Sequence, residues 1–370
     1  MITATSTLFL ALLMTIGVVG SAAAQNRAGY NLETLVSGLD SPWGLALLPN
    51  GDMLVTQLTG DLRLIRNGKL VAQPVSGVPE SLYGGQGGLM DIVLHPNYAD
   101  NQLVYLSLSV GTAQSNALRV VRGRFTGSAL EDVSTVFEAA PRKHTKVHYG
   151  ARMAFLPDNT LLINSGDGFD LREQAQNLSN HFGKALRVTD DGKVPDDNPF
   201  VDVAGAQPEI YTYGHRNQQS IVVERSSGRI YQTEHGPRGG DELNLIEAGK
   251  NYGWPVATYG IDYSGARISP YTEYEGTQQP LIHWTPSIGP AGMTIYEGSQ
   301  FPDWRGDIFV TSLIYNKIIH IEMANGEPQR QSDIFAEIDE RIRDIRTGPD
   351  GALYILSEGT DGKLWRASRP

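Results

Sequence analysis

One unit recurs six times along the chain: an apolar strand, a turn built on Pro, Asp, Asn or Gly, and a second apolar strand that ends in small polar residues. The copies are "WGLALLPNGDMLVTQ" from Trp43, "LMDIVLHPNYADNQLVYLSL" from Leu89, "RMAFLPDNTLLINSG" from Arg152, "SIVVERSSGRIYQTEHG" from Ser220, "GMTIYEGSQFPDWRGDIFVTSL" from Gly292 and "RDIRTGPDGALYILSEG" from Arg343. They start 46 to 72 residues apart, close to the length of a four-stranded propeller blade with loop insertions. The strands are short and nearly continuous in Val, Ile, Leu and Tyr, as expected where sheets are covered on both faces. The best helical candidate, "LREQAQNLSNHFGK", has no clean apolar stripe and is expected to be loop or a single helical turn. The pattern predicts an all-β chain: one six-bladed β-propeller domain within residues 25–370. The leftover "NLETLVSG" would close the ring against "GKLWRAS", because closure removes exposed sheet edges. The rival arrangement is a pair of β-sandwiches joined at "DDGKVPDDNPF"; the unit repeats on both sides of that segment, which argues for one ring.

Residues 1–24 carry no charged side chain, hold an apolar run from Leu8 to Val19 and end in small residues. They are expected to be a secretory signal peptide cut after Ala24, leaving no membrane span in the mature chain; the run is short for a bilayer. The alternative is a retained anchor. A periplasmic or secreted protein follows, yet the chain has no cysteine, so no disulfide framework is available and stability must come from burial, alone or with a metal. A net charge of −11 argues against nucleic-acid or anionic-membrane partners, which need a broad basic surface. Local arginines must therefore serve something small.

In a propeller, the loops that lead into the innermost strands open together on one face around the axis. The residues just ahead of each repeat should therefore cluster, however distant in sequence. They are Gln86 in "YGGQGG", His148 in "VHYGAR", Arg216 and Asn217 in "YGHRNQQ", Trp284 in "HWTPSIGPA", and Arg341 with Arg343 in "RIRDI". This set holds one candidate general base, three guanidiniums, two carboxamides and an indole. Arginine forks bind carboxylates in bidentate fashion, so the set suggests a small ligand with several carboxylates, with the indole free to stack on a flat ring. The bland reading is a hydrogen-bonded loop histidine and surface ion pairs; only the shared position across repeats weighs against it.

The stretch "EHGPRGGDELN", Glu234 to Asn244, has two readings. Asp241, Glu242 and carbonyls exposed by the Gly and Pro turn could ligate Ca²⁺. The stretch lacks the alternating acids of a helix-loop-helix calcium loop, and a plain turn between strands accounts for its composition equally well.

Long ordered motifs then identify a family. "SPWGLALLPNGDMLVT", "GQGGLMDIVLHPNY", "GKALRVTDDGKVPDDNPF", "PEIYTYGHRNQQS", "TEHGPRGGDELNLIEAGKNYGWP", "YGIDY" and "RIRDIRTGPDGALYIL" resemble the soluble quinoprotein sugar dehydrogenases, the glucose/sorbosone dehydrogenase family, and within it the periplasmic aldose sugar dehydrogenases. The resemblance covers nearly all of the mature chain. It implies an aldose substrate, pyrroloquinoline quinone and Ca²⁺ as cofactors, and a separate electron acceptor, a quinone or redox protein. By motif position, His148 resembles the family's catalytic base, with Arg216 beside it. Gln86, Arg216, Asn217, Tyr263, Arg341 and Arg343 resemble its cofactor-binding residues, and Trp284 is a further candidate. Gly236 and Pro237 resemble the residues whose carbonyls hold the cofactor's calcium, and Glu242 with Tyr252 resembles a further calcium site. The chain departs from the family in four places. Ile314 stands where a cofactor-pairing lysine is common, with Lys317 as a possible substitute; Gly168 replaces a glutamine; Val147 replaces an acid; and Gln218 replaces the proline of "RNP". Two other readings stay open: a calcium-dependent propeller lactonase or esterase, and a non-catalytic sugar- or protein-binding propeller.

Overall fold

The computed structural model describes residues 29–370. The expected signal peptide lies outside the described residues, among which no helix is long and apolar enough to cross a membrane. Twenty-four strands form six four-stranded antiparallel sheets. Five follow the chain directly, with innermost strands Pro42–Leu47, Leu89–Leu94, Met153–Phe155, Gln218–Val223 and Pro290–Ile295. Each begins within two residues of a repeat start read from the sequence. The sixth sheet runs inward from Asn31–Leu39 through Gly362–Ser368 and Leu353–Ser357 to Ile342–Thr347. Its outer strand is thus the N-terminal segment, paired from Asn31↔Ser368 to Leu39↔Gly362, and the ring closes as expected. The segment "DDGKVPDDNPF" is a loop between the third and fourth strands of blade three, which removes the sandwich alternative. The polar helical candidate supplies one short 3₁₀ turn, Arg172–Gln176.

Burial explains why the ring holds. Six apolar clusters occupy the six interfaces between consecutive blades. One joins Leu45, Met53, Val55 and Ile65 of blade one to Val36, Leu39, Leu356 and Leu364 of blade six. Another joins Tyr105, Val120 and Phe137 of blade two to Met153, Leu161 and Leu186 of blade three. Each blade is covered on both faces, which is why its strands read as continuous apolar runs rather than alternating ones.

The axis itself is polar. Arg152, just ahead of the innermost strand of blade three, is buried between Asp91 of blade two and Asp344 of blade six, at 3.1 and 3.2 Å. Its guanidinium lies 4.0 Å from the centre of the Trp43 ring. Arg346 completes the cluster at 3.0 Å from Asp344 and 3.4 Å from Asp91. Remaining lone pairs accept backbone N–H groups: Met153 donates to Asp91 at 2.8 Å and Leu45 to Asp344 at 3.2 Å. Gly292 makes room, since a Cβ there would sit 2.5 Å from the Asp344 Cα. Two arginines and two aspartates cancel, so the plug is neutral. Removing one partner leaves a buried charge uncompensated: Asp344→Ala should cost about 3–5 kcal/mol, read as a lower urea midpoint, and an unchanged midpoint would show that the plug is not needed.

Candidate functional site

Above this plug, at the end of the axis where the leading loops converge, lies a cavity of about 290 Å³ lined by Gln86, Asn217, Arg341 and Arg343 with Trp43, Gln219, His235 and Glu358. Four of the residues expected from the repeats therefore meet. Glu358, unforeseen, accepts from Arg341 Nε at 2.7 Å and from Arg343 Nη2. Burial pushes its carboxyl up, but the two guanidiniums outweigh burial and hold it below the usual range. Arg343 Nη1 reaches Gln219 Oε1 at 3.4 Å, and its Nε is buried without a partner. A buried guanidinium with an unpartnered donor, on a residue that lines a cavity, is a candidate for binding an anion.

His148 does not itself line the cavity, although the next residues Tyr149 and Gly150 do; it has a left-handed backbone conformation, φ +52°. Its backbone N–H donates to Gln86 Oε1 at 2.8 Å, which joins the loops of blades two and three. The imidazole is buried and its Nδ1–H donates to Asp167 Oδ1 at 2.7 Å. Asp167 also accepts from Trp254 Nε1 at 2.8 Å and from the Phe169 N–H at 2.8 Å. With Nδ1 committed, Nε2 keeps the lone pair, which is the tautomer a general base needs. Burial, then Arg216 and Lys143, pull the His148 pKa below its ordinary value against the pull of Asp167. Asp167 is pushed up by burial but held ionised by His148 and Arg216. Asp167 and Trp254 were missed in the sequence, where Asp167 directly follows the second strand of the third repeat.

Arg216 is buried beside them. Its backbone N–H donates to Glu234 Oε2 at 2.6 Å, and Nη1 donates to the carbonyls of His235 and Gly236 at 3.0 and 2.7 Å. Nη2 lies 3.4 Å from the Tyr263 hydroxyl. Tyr263, 59% exposed, stacks on Phe169, whose ring meets the His148 imidazole edge-on at 5.1 Å. Phe169, Arg216, Pro237, Trp254 and Tyr263 line a second depression of about 270 Å³ with Asp170, Arg172 and Asp262. A wider groove of about 890 Å³ adjoins both, sharing His235, Leu313 and Arg341 with the axial cavity and Pro237 and Tyr263 with the second depression.

The turn "EHGPRGGDELN" wraps this site. Gly236 is obligatory, since a Cβ would lie 2.2 Å from the Gly239 carbonyl. Asp241 is a staple: Oδ1 accepts from the Gly236 N–H and Oδ2 from the Ile288 and Gly289 N–H groups, at 2.9, 2.8 and 2.8 Å. Glu242 faces Glu234 across the strands Ile230–Glu234 and Asp241–Ile246, with the Asn244 amide between them at 3.1 and 3.2 Å. Burial, then Glu234, pushes Glu242 up to about 8. Tyr252 stacks on His215, which reaches Glu234 at 3.1 Å, so Tyr252 and Glu242 flank one carboxylate from two sides. Among the described residues there is no group of three or more His, Asp or Glu spaced to hold a metal ion.

Trp284 stands apart from this assembly. It ends the outermost strand Ile282–Trp284 of blade four, is buried among Leu243, Met293 and Ile308, and donates Nε1–H to Gln331 at 2.8 Å. The outer strand runs further than the repeat suggested, so the loop leading into blade five begins at Thr285. The indoles at the site are Trp43 and Trp254. Ile314 is half exposed in the wide groove, while Lys317 is engaged by Asp333 at 2.6 Å over the Tyr315 ring.

A six-bladed propeller thus gathers arginines, carboxamides and an aspartate-paired histidine at one end of its axis. The glucose/sorbosone dehydrogenase family model matches residues 39–366, and the chain belongs to that family. The aldose sugar dehydrogenase YliI of Escherichia coli is 41% identical over 348 residues, covering 92% of this chain and 93% of that protein. The crystal structure of the soluble aldose sugar dehydrogenase of Escherichia coli in its apo form superposes with a TM-score of 0.89 at 40% identity, over 92% of this chain and all of that one. The pyrroloquinoline-quinone-bound aldose sugar dehydrogenase of Streptomyces coelicolor gives 0.75 at 28% identity, over 92% of this chain and 99% of that one.

Glu358 competes with any anion for Arg341 and Arg343. Glu358→Gln should therefore bind a small tricarboxylate such as citrate about tenfold more tightly, a gain of one charge-assisted contact. Calorimetric titration measures this, and equal affinity in both proteins would remove Glu358 from the site.

Proposed function

We propose that the chain oxidises aldose sugars at the anomeric carbon to lactones, using pyrroloquinoline quinone and Ca²⁺. The observation that carries this reading is the buried His148–Asp167 pair, tied through the His148 N–H to Gln86, next to a cavity walled by Arg341, Arg343, Asn217 and Gln86. The residues fit a flat tricarboxylate: Arg343 Nε is an idle buried donor, and Arg341, Gln86 and Asn217 add further donors around it. For Ca²⁺ the donors are the carbonyls of Gly236 and Pro237, hard oxygens of the right kind; Arg216 now donates to the Gly236 oxygen and would yield it. Glu242, pushed up to about 8 by burial and then by Glu234 across the strand pair, fits a further cation that would relieve the carboxylate repulsion. When bound, the quinone accepts the hydride leaving the sugar and Ca²⁺ supplies Lewis-acid polarisation.

The chain's own part is proton and charge handling. His148 Nε2 removes the proton of the anomeric hydroxyl, and Asp167 stabilises the imidazolium that results. Arg216, stacked near Trp254 at 5.3 Å, supplies positive charge where negative charge develops. Phe169 and Tyr263 wall the depression beside the base. The lactonase reading is disfavoured by the axis itself, where Asp91 and Asp344 are consumed by Arg152 and Arg346. The N-terminal segment supports export to the periplasm or beyond, and a chain without cysteine passes electrons to a separate acceptor.

Reconstitution tests the proposal: purified protein is titrated with pyrroloquinoline quinone and Ca²⁺, and aldose-dependent reduction of an artificial acceptor is followed. His148→Gln should bind the quinone yet lose roughly 10²–10⁴-fold in turnover. No cofactor binding, or equal rates, defeats the reading, and cofactor-free lactone hydrolysis would favour the hydrolase. Because only neutral His148 is a base and its pKa lies below the ordinary histidine value, the rate should stay flat down to about pH 6.5 and fall only at lower pH.

A further inference from the structure

Lys143 lies five residues before His148 and was not singled out by any motif. Its backbone is fixed to Asn116 of blade two by two reciprocal hydrogen bonds of 2.8 Å. The side chain is buried and runs beneath the His148 turn. There Nζ donates to the carbonyls of Val147 and, at 3.3 Å, His148, and lies 3.7 Å from the centre of the Tyr149 ring. Tyr149 in turn donates to Asn116 Oδ1 at 2.7 Å. On its other side the lysine stem touches the Asp167 loop: a Cβ on Gly168 would sit 3.1 Å from Lys143 Cδ.

The turn needs such a clamp. His148, Gly150 and Ala151 all have positive φ, at +52°, +68° and +76°, and a non-glycine residue pays about 1–2 kcal/mol for that conformation. Strain of this kind persists only where the surroundings over-determine the backbone. A buried ammonium ties down two consecutive carbonyls of the turn, so it fixes the plane from which the imidazole projects.

We propose that Lys143 is a positioning residue for the His148 base: its ammonium fixes the left-handed turn, and its charge keeps the pair as ionised Asp167 with neutral His148. The inference rests on His148 being the base. The charged groups facing the lysine and the pair are Asp167 from the blade-three loop and Arg216 from the loop leading into blade four. Asp167 favours an imidazolium, while Lys143 and Arg216 oppose it. Burial pulls the ammonium down to about 7, with Asp167 holding it up, so it is mostly charged below about pH 6.5, where the lowered His148 titrates, and half neutral at about pH 7.

The test is an NMR titration of the histidine ring signals in the full-length chain without cofactor, with His148 assigned by comparison with His148→Gln. Lys143→Met should raise the His148 pKa by about one pH unit, the size expected for losing one nearby charge. In the reconstituted enzyme the acid limb of the rate profile should move with it. Lys143→Arg, which restores the charge, should return both toward wild type, an outcome that a purely structural role would not produce. If Lys143→Met does not fold, Lys143→Gln is read in the same way. An unmoved His148 titration in the neutral variant overturns the proposal. A wild-type chain that oxidises no sugar would count against the sugar-oxidising reading, while the NMR titration would still decide the role of Lys143.

Discussion

The structure depends on Arg152 more than on any other single side chain. A closed ring of six blades brings six innermost strands toward one line, and whatever points inward there is removed from water. Burying an unpaired guanidinium would be prohibitive, so Arg152 is met by Asp91 from the adjacent blade two and by Asp344 from blade six across the ring. It also acts upward: Nε donates to the Gln219 carbonyl at 2.9 Å and Nη2 to the Arg343 carbonyl at 3.2 Å. The floor of the ring and the wall of the cavity are therefore one hydrogen-bonded unit. Arg343 is held by its backbone from below and by Glu358 from the side, which fixes its guanidinium and leaves its Nε without a partner.

The guanidiniums and the imidazole nearest the axis are already engaged. Arg341 and Arg343 share Glu358, Arg216 holds the carbonyls of His235 and Gly236, and His148 is fixed to Asp167. Such pre-engagement lowers the ordering entropy a ligand must overcome, at the cost of displacing an internal partner. Arg216 has two alternatives of equal character, the Gly236 oxygen and a ligand oxygen. A cation at that carbonyl and an anion at the guanidinium would therefore support each other's binding.

Much of this was legible in the sequence because propeller topology turns periodicity into proximity. Six strand-turn-strand units fixed the blades, and the position ahead of each unit brought Gln86, His148, Asn217, Arg341 and Arg343 to one face. Trp284 shows where the rule gives out: the repeat marks the innermost strand but not where the preceding outer strand ends, and two more strand residues bury an indole between blades. Asp167, Trp254 and Glu358 were not legible for a related reason. They sit after the second strand of a blade or in a long insertion, and no spacing in one sequence says which of these turns back to the axis. Lys317 fails as a stand-in for the missing family lysine because Asp333, on the adjacent strand, holds it.

Ile314 then alters the electrostatics in a definite direction. Against an anion with three carboxylates the chain presents Arg341, Arg343 and Arg216, with Glu358 opposing them, and no lysine joins from the loop after Ile308–Ser312. Among the described residues lining the wide groove, Arg238 is the guanidinium that no carboxylate holds, and it is exposed rather than aimed by a partner. The isoleucine instead extends the apolar wall of Ile261, Leu313 and Tyr315 along the wide groove. On the proposed reading, a cation at the Gly236 and Pro237 carbonyls would carry part of the charge that the lysine does not bring, and the groove beside it is correspondingly better suited to an apolar face than to a charged one.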